Sequence, residues 1–548
     1  MNNDNKKENY EHNKPAGLFA DKAYEATPNP NTANSTLKSA VTESVETQDN
    51  QPLSTEPLTT TTSMTRKTIA SGEPLKLAVV GHTNTGKTSI LRTLLRDVYF
   101  GEVKNEAATT RHVEQAKLTD SQTGEVLVVL YDTPGLEDAS GLMDWLEDNT
   151  ASRRDGIERL QQFLAADIAQ GGDALNSNED YSQEAKVIRQ LLASDMAIYV
   201  VDAREPVLGK YKDELAILSW AAIPVMPVFN FTDAQDANID EWQTMLARRN
   251  LHISTRFDSV AFEFNDEMRL WQNLATMLTH SEMLEQLMAR RTEDWAQLND
   301  EANIIIADFL INVAAFVREI SEDDDPMPVL EQMQEAVRQS ERAMQHNLLN
   351  LYKFYDNAVA ATPLELQAYQ QDPFDPELLK SYGIRTTSGA AAGALLGLGI
   401  DAAALGTTLG LGAAIGGIAG GLLSNTSSIA DRITGVKRLY IDPATLTLLA
   451  TRAIDLLTAL RHRGHAATQL LYKGEKNSLE TSGSDNNPDE ESNPITVWPT
   501  HKLPSELKKA RGKPQWSSLS SGKSEQAQLL RADMAWSLAS KLQSYKPE

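Results

Sequence analysis

Cysteine is absent from the 548-residue chain. That excludes a disulfide scaffold, a zinc ribbon or finger, an iron–sulfur site and a cysteine nucleophile. Basic residues are also short: Lys+Arg number 51 against Asp+Glu 76, a formal net charge of −25. A general nucleic-acid binder needs a basic face, so this balance argues against one, while leaving room for a local basic patch. The first residues, Met1 to Asn9, are polar and lack an apolar core, so no secretory signal is expected there. At roughly 150 residues per domain, the length allows about three units, or fewer with disordered tails. One excess stands out: 11 of the 30 glycines fall between Gly389 and Gly421.

Residues 1–72 are rich in Asn, Thr, Ser, Pro and Glu with few large apolar side chains, and residues 473–494 form a similar acidic stretch. Neither can bury enough surface to offset its ordering entropy, so a disordered tail and a linker are expected. Between them, residues 73–280 alternate short apolar runs with helical patterns. Leu75–Val80, Glu125–Tyr131, Met196–Val201, Ile223–Phe229 and Ser259–Phe264 read as strands. Lys87 to Asp97 and Asp266 to Leu278 read as helices. This alternation predicts an α/β domain, a mostly parallel sheet covered by helices on both faces.

From residue 281 to 385 the pattern is helical. Apolar residues continue at helical spacing over Glu282–Ile320, Asp323–Pro326 breaks the run, and Pro328–Tyr355 resumes it. A long helical hairpin is expected. Ile441–Tyr472, within the 425–472 region, reads as a further amphipathic helix. Residues 495–548 form a Trp-containing C-terminal tail. The stretch from Leu136 to Ser194 is longer than a minimal α/β domain of this kind needs. Its helices, near Arg154–Ala169 and Tyr181–Leu192, suit either a lid or contact surface or a plain structural elaboration.

Gly81–Thr88 reads GHTNTGKT, the pattern G-x-x-x-x-G-K-[ST], placed after a strand and before a helix. Gly81 and Gly86 let backbone N–H groups wrap phosphate oxygens. Lys87 is expected against the β and γ phosphates and Thr88 on Mg²⁺. The helix N-terminus adds partial positive charge. The expected phosphate set is Gly81, His82, Thr83, Asn84, Thr85, Gly86, Lys87, Thr88 and Ser89. Asp132–Gly135 reads DTPG directly after a strand, so Asp132 can reach Mg²⁺ through water and the Gly135 N–H can sense the γ phosphate. Asn230–Asp233 reads NFTD after another strand. A carboxylate there can accept from the N1–H and 2-amino groups of guanine, so Asp233 selects guanine over adenine. Asn230 ties this loop to the phosphate loop. Phe231 stands where the usual N-K-x-D form has lysine and offers an aromatic face instead.

With GHTNTGKT, Thr109–His112 (TTRH), DTPGL and NFTD in this order, the chain resembles the Era-like branch of the translation-factor-related GTPases. More closely, it is similar to a bacterial family that pairs such a GTPase with a C-terminal domain of unknown function. Asp202–Lys210 (DAREPVLGK) and Leu503–Leu519 (LPSELKKARGKPQWSSL) carry that likeness. The resemblance implies GTP/GDP as ligand and GTP hydrolysis with Mg²⁺ bound by Thr88, Thr110 and Asp132, Thr109 being the alternative to Thr110. It also implies that Asn84 helps hold K⁺ beside the phosphates, against the reading that Asn84 only hydrogen-bonds within its loop. Lys87, Thr110, Gly135 and Asn84 are then the catalytic set. Leu136 stands where Ras-like enzymes place a water-orienting glutamine. Arg111 and Arg204 are candidate arginine fingers, with surface or structural pairing as the default. No SAK or SAL marks the last guanine loop, which is expected after Ser259–Phe264.

Residues 386–424 repeat Gly at four-residue spacing, as at Gly389, Gly393 and Gly397 or Gly412, Gly416 and Gly420. In water each such Gly costs a helix about 1 kcal/mol, whereas small residues at this spacing suit close helix packing in lipid. Ala402–Leu423 carries no charge and as a helix reaches about 33 Å. A helical hairpin with Asp401 at or near its turn is expected, associated with inner-membrane lipid or a membrane protein. A soluble packed hairpin and a flexible linker are the alternatives, and the mean hydropathy of −0.38 favours the soluble one. Lys502, Lys508, Lys509, Arg511 and Lys513 form a basic cluster that could meet anionic lipid or RNA, a solvated helix face being the default. His462 and His465 are read as non-ligands. The expected protein is thus a cytoplasmic GTPase switch associated with the inner membrane. A non-catalytic scaffold, a self-associating dynamin-like remodeller and a ribosome-assembly factor are alternatives. The acidic charge and missing RNA-binding domain weigh against RNA or the ribosome as partner.

Overall fold

The computed structural model describes residues 73–98, 100, 113–166, 169, 181–234, 236–321, 323–354, 371–375, 378–379, 382, 398–401, 436–467, 496–499, 502–520 and 525–544. The 1–72 tail, the TTRH segment with Thr109, Thr110 and Arg111, the 473–494 linker and most of 386–424 lie outside them.

The N-terminal half of the described chain runs β1 (Leu75–Val80), α1 (Lys87–Leu95), β2 (Glu114–Thr119), β3 (Val126–Asp132), α2 (Ala139–Asn149), α3 (Gly156–Ala165) and α4 (Ser182–Ala193). It continues with β4 (Met196–Asp202), α5 (Gly209–Trp220), β5 (Val225–Asn230), α6 (Ile239–Ala247), β6 (Thr255–Arg256) and α7 (Phe264–Thr276). The strands form one sheet in the order β2-β3-β1-β4-β5-β6. β1 pairs in parallel with β3 and β4, with Leu77 opposite both Leu130 and Met196. The apolar runs of β1, β3, β4 and β5 suit strands buried on both faces. Leu77, Val79, Ile198 and Val228 pack one face against Ile90, Leu94, Leu270 and Trp271 of α1 and α7. Ala78, Val80, Tyr199 and Phe229 pack the other against α2 to α6. Loops at the C-terminal ends of parallel strands gather on one edge, which is where ligands bind in such sheets.

The C-terminal half runs α8 (Glu282–Ala314), β7 (Val317–Ser321), α9 (Met327–Leu351), β8 (Leu398–Asp401), β9 (Val436–Ile441) and α10 (Pro443–Arg461). It ends with α11 (Ser505–Arg511), a 3₁₀ turn at Pro514–Trp516 and α12 (Glu525–Gln543). At 33 residues, α8 is about 50 Å long. Its Leu284 and Leu287 lie in the sheet's core, while Ile306, Leu310 and Val313 join α9, α10, α11 and α12 in a separate helical core. Trp295 packs against both. α10 starts on an Asp442 cap, whose Oδ1 accepts from the Ala444 and Thr445 N–H groups at 2.7 and 3.0 Å, with Pro443 at its first position. Among the described residues, α10 is the helix long and apolar enough to cross a membrane, but 72% of its most apolar 18-residue window is buried within the protein. A buried Glu341–Arg452 ion pair, 2.9 Å apart, joins α9 to α10.

Several sequence readings need correction. Ser259–Phe264 is not a strand; the last strand is the two-residue β6, and Ser259–Phe264 forms the following loop and the start of α7. The first long helix stops at Ala314 rather than Ile320, and Val317–Ser321 pairs antiparallel with β9. Ile441–Tyr472 is not one helix: Ile441 ends β9 and the helix stops at Arg461. Leu398–Asp401 is a strand antiparallel to β9, so Asp401 is paired with Arg438 rather than standing at a helical turn. The rest of the 386–424 reading falls outside the described residues. Helices α2, α3 and α4, from the extra 136–194 stretch, share the sheet's core through Leu142, Leu160, Phe163 and Ile188. These buried contacts fit the structural-elaboration reading.

Candidate nucleotide site

The phosphate loop lies between β1 and α1. Gly81 has φ +146°, and a Cβ there would fall 2.6 Å from the Val200 carbonyl oxygen. Gly86 has φ +86°, and a Cβ would fall 2.2 Å from Asn230 Nδ2. Both positions therefore require glycine on two counts, conformation and space. Asn84 is also left-handed (φ 67°), which asparagine tolerates. It is exposed, and among the described residues its side chain has no hydrogen-bond partner. Ser89 sits half-buried in the first turn of α1.

Lys87 is buried, and its Nζ donates to the carbonyls of Gly81 and His82 at 3.2 and 2.8 Å. Burial lowers its pKa, opposed by the nearby Asp132, Glu214 and Glu137 carboxylates. Thr88 Oγ1 donates to Asp132 Oδ2 at 2.5 Å. Burial raises Asp132 to about 6, against the pull of that hydrogen bond and of Lys87. Asp132 Oδ1 is buried and has no hydrogen-bond partner among the described residues; nor does Thr83 Oγ1. A buried carboxylate oxygen left bare beside a threonine hydroxyl suits a hard cation. Among the described residues no three acidic or histidine side chains cluster as a protein-only metal site.

The start of DTPGL is pressed onto the phosphate loop. A Cβ on Gly135 would fall 2.2 Å from Thr83 Oγ1 and 2.7 Å from its backbone N. The Leu136 N–H donates to the Gly81 carbonyl at 3.3 Å. His82 Nδ1 lies 2.9 Å from the Leu136 carbonyl and 2.8 Å from Glu214 Oε1, while Nε2 faces Lys210 Nζ at 2.8 Å. With carbonyl and carboxylate acceptors at Nδ1, that nitrogen is the one placed to donate. The Tyr199 hydroxyl donates to the other Glu214 oxygen at 2.7 Å. Farther on, the Glu137 and Asp138 N–H groups donate to Glu184 Oε1 of α4, at 3.1 and 3.2 Å.

Asn230 is fully buried at the end of β5. Its Nδ2 donates to the Thr85 carbonyl at 3.1 Å, the tie between NFTD and the phosphate loop that the sequence suggested. Its Oδ1 accepts from the N–H groups of Phe231 and Ser259, at 3.0 and 2.9 Å. The Asp233 carboxylate is exposed, and its N–H donates to Asp258 Oδ2 at 3.3 Å. The Phe231 ring lies over Gly86, at 3.1 Å from where a Cβ would be. Arg204 stacks on it with the guanidinium carbon 4.0 Å from the ring centre. Asp202 grips Arg204 through Nε and Nη2 at 2.9 and 2.7 Å, so Arg204 is structurally paired.

Sequence reading missed the loop Asp258–Ala261. It follows β6 and meets NFTD through Asp258 and Ser259. Asp258 Oδ1 also accepts from the Val260 and Ala261 N–H groups, at 2.8 and 3.1 Å, which shapes the turn. The only signal was Asp-Ser after a short β-branched and aromatic run. Of the remaining candidates, His462 pairs with Glu263 at 2.7 Å and His465 is buried against the Tyr352 carbonyl at 3.0 Å. Lys502, Lys508, Lys509 and Lys513 are exposed, whereas Arg511 stacks on Tyr440 at 4.4 Å.

Comparison with known proteins agrees with this arrangement. Residues 76–231 match the family described as 50S ribosome-binding GTPase, and residues 243–539 match the family described as domain of unknown function DUF3482. No curated protein matches the chain. Among solved structures, Aquifex aeolicus Era bound to GDP·AlF4⁻ is 16% identical, with 37% of this chain and 57% of that chain covered and a TM-score of 0.26. Era in complex with MgGDPNP and a segment of 16S ribosomal RNA is 16% identical over the same shares, with a TM-score of 0.27. The chain thus spans 57% of the length of either Era chain.

Proposed function

The chain belongs to the DUF3482 family and matches the 50S ribosome-binding GTPase family ahead of that region, and we propose that it is a Mg²⁺-dependent GTP switch whose helical region acts at the inner membrane. The observation that carries the nucleotide reading is the buried Asn230 side chain, which joins the phosphate loop at Thr85 to the loop at Ser259. In this reading the Asp233 carboxylate, exposed beside that junction, would accept from guanine N1–H and the 2-amino group.

In this reading the backbone of residues 81–88 wraps the phosphates and Lys87 turns its ammonium from the Gly81 and His82 carbonyls to the β and γ oxygens. Thr88 and Asp132 would hold Mg²⁺, with Thr110 as the switch I ligand; the ion supplies charge neutralisation at the phosphates. The Gly135 N–H reports the γ phosphate, and its docking against Thr83 is the contact that GTP and GDP alter. Leu136 gives no polar side chain to orient water. Asn84, exposed and with no hydrogen-bond partner among the described residues, is the candidate K⁺ ligand, a cation that would neutralise developing charge as an arginine finger does. Turnover should be several-fold faster in KCl than in NaCl at matched ionic strength; equal rates remove the K⁺ role.

The membrane assignment rests on the Gly spacing of residues 386–424. Carbonate extraction tests it: the chain should stay with membranes, and full release contradicts insertion. Lipid-stimulated turnover with self-assembly would mark a remodeller. The description of the GTPase family supports a second reading, action on the 50S subunit. Co-sedimentation with 50S subunits under GTP but not GDP would favour it. The test of the nucleotide reading itself is competition binding in Mg²⁺. GDP should displace a fluorescent guanine nucleotide at least about a hundredfold better than ADP, because a site built to pair with guanine leaves its polar groups unmatched by adenine. Equal potency contradicts it.

A further inference from the structure

The loop Asp258–Ala261 is held from three sides. The Ser259 N–H donates to Asn230, and its carbonyl accepts from Thr93 Oγ1 of α1 at 2.9 Å. The third side is closed by residues just past the end of α10. A Cβ on Gly464 would fall 1.9 Å from the Ser259 carbonyl oxygen and 2.5 Å from its carbon. The Gly464 N–H donates to the Val260 carbonyl at 2.8 Å, and the Phe262 N–H donates to the His462 carbonyl at 3.0 Å. Ala261 and Arg463 form an antiparallel bridge. The next residue along, His465, already belongs to the helical core. It stacks on Phe354 with ring centres 4.4 Å apart and meets the Tyr352 carbonyl.

The family boundaries agree with this joint. The GTPase match stops at residue 231, inside NFTD, and the DUF3482 match from 243 to 539 contains both the Asp258–Ala261 loop and Gly464. The last wall of the nucleotide site and the helical region thus fall in a single matched unit.

We propose that His462–Gly464 are positioning residues for guanine, so that docking of the α10 end sets base affinity and base occupancy stiffens the α10 end. The proposal rests on the guanine-nucleotide reading above. Hydrogen bonds to a base edge weaken steeply outside about 2.7–3.2 Å. A side chain at position 464 must move the Ser259 peptide or the α10 end by over an ångström to reach ordinary contact, which exceeds that tolerance. Coupling of this kind is reciprocal: whatever docking contributes to base binding, the base returns to docking.

Two measurements on the full chain test it. Hydrogen exchange with and without Mg²⁺·GDP should show slowing at residues 81–88 and, at least about tenfold, at the Phe262 and Gly464 amides. Slowing at 81–88 with 460–467 unchanged overturns the proposal alone. No slowing at 81–88 overturns the nucleotide reading beneath it. Gly464→Ala should weaken GDP at least tenfold while leaving ADP, which shares only ribose and phosphates, unchanged. Equal weakening of both, or of neither, contradicts a role in positioning the base. If Gly464→Ala does not fold, the exchange measurement on the unaltered chain decides.

Discussion

Replacing Asn230 with alanine removes one fully buried side chain that makes three hydrogen bonds. Phe231 is only half-buried, so its N–H can turn to water. The Ser259 N–H and the Thr85 carbonyl belong to buried residues and would be left unpaired. Each stranded buried group costs about 1–3 kcal/mol, so Asn230→Ala should destabilise the nucleotide domain by about 3 kcal/mol. Urea unfolding followed by fluorescence of Trp242 and Trp271, both buried in that domain, would read the loss as a lower midpoint. The m-value should hold, since a changed slope would mean altered cooperativity rather than a lost tie. GDP affinity should fall at least tenfold in the same variant, because two of the three loops at the site lose their common partner. A stability change under about 0.5 kcal/mol, the ordinary scatter of surface substitutions, together with unchanged GDP affinity, would refute the claim that Asn230 assembles the site.

Further predictions concern the neighbours. Arg204→Ala removes a guanidinium stacked on Phe231, worth about 0.5–1 kcal/mol at a partly exposed ring, so GDP affinity should drop two- to fivefold. A hundredfold fall in kcat with unchanged affinity would instead make Arg204 a finger. Gly135→Ala drives a Cβ into Thr83 and should cut phosphate release at least tenfold; normal turnover would mean that DTPG does not dock during the cycle. His465 is held by burial at a pKa of about 3, below the ordinary 6.5. The unfolded chain then binds more protons, so this contribution is fully present above about 6.5 and is lost as pH falls toward 3. The slope is up to about 1.4 kcal/mol per pH unit. Urea midpoints of the unaltered chain should drop between pH 7 and 5, with a flatter profile in His465→Gln. Parallel profiles would contradict this.

The strands β1, β3, β4 and β5 were legible because burial on both faces writes an unbroken apolar run. β2 was not: Glu114–Thr119 lies at the sheet edge, and only Ala116 and Leu118 point into the core. β6 escaped because two residues carry no period. The end of α8 was misplaced because Phe316 and Ile320, four apart, fit a helix face as well as they fit the chain's turn into β7, where Ile320 alternates with exposed neighbours. At the site, the phosphate loop, DTPG and NFTD are local patterns whose chemistry needs residues at fixed spacing, so they could be read directly. The Asp258–Ala261 loop works through backbone groups, which almost any residue can supply. Its support by Gly464 joins positions some 200 residues apart in sequence, and only the folded chain brings them together. Glu214 and Lys210 around His82 belong to the same class, polar residues of a helix that acquire meaning from what the fold sets beside them.

GTP hydrolysis at the Gly81–Thr88 loop is the activity on which the proposed switch depends. Steady-state phosphate release in Mg²⁺ and K⁺ tests it most directly, with Lys87→Ala as the blank. The unaltered chain should release phosphate measurably from GTP and not above background from ATP, and Lys87→Ala should release none. Equal release by the two proteins, or release from ATP as fast as from GTP, would contradict it.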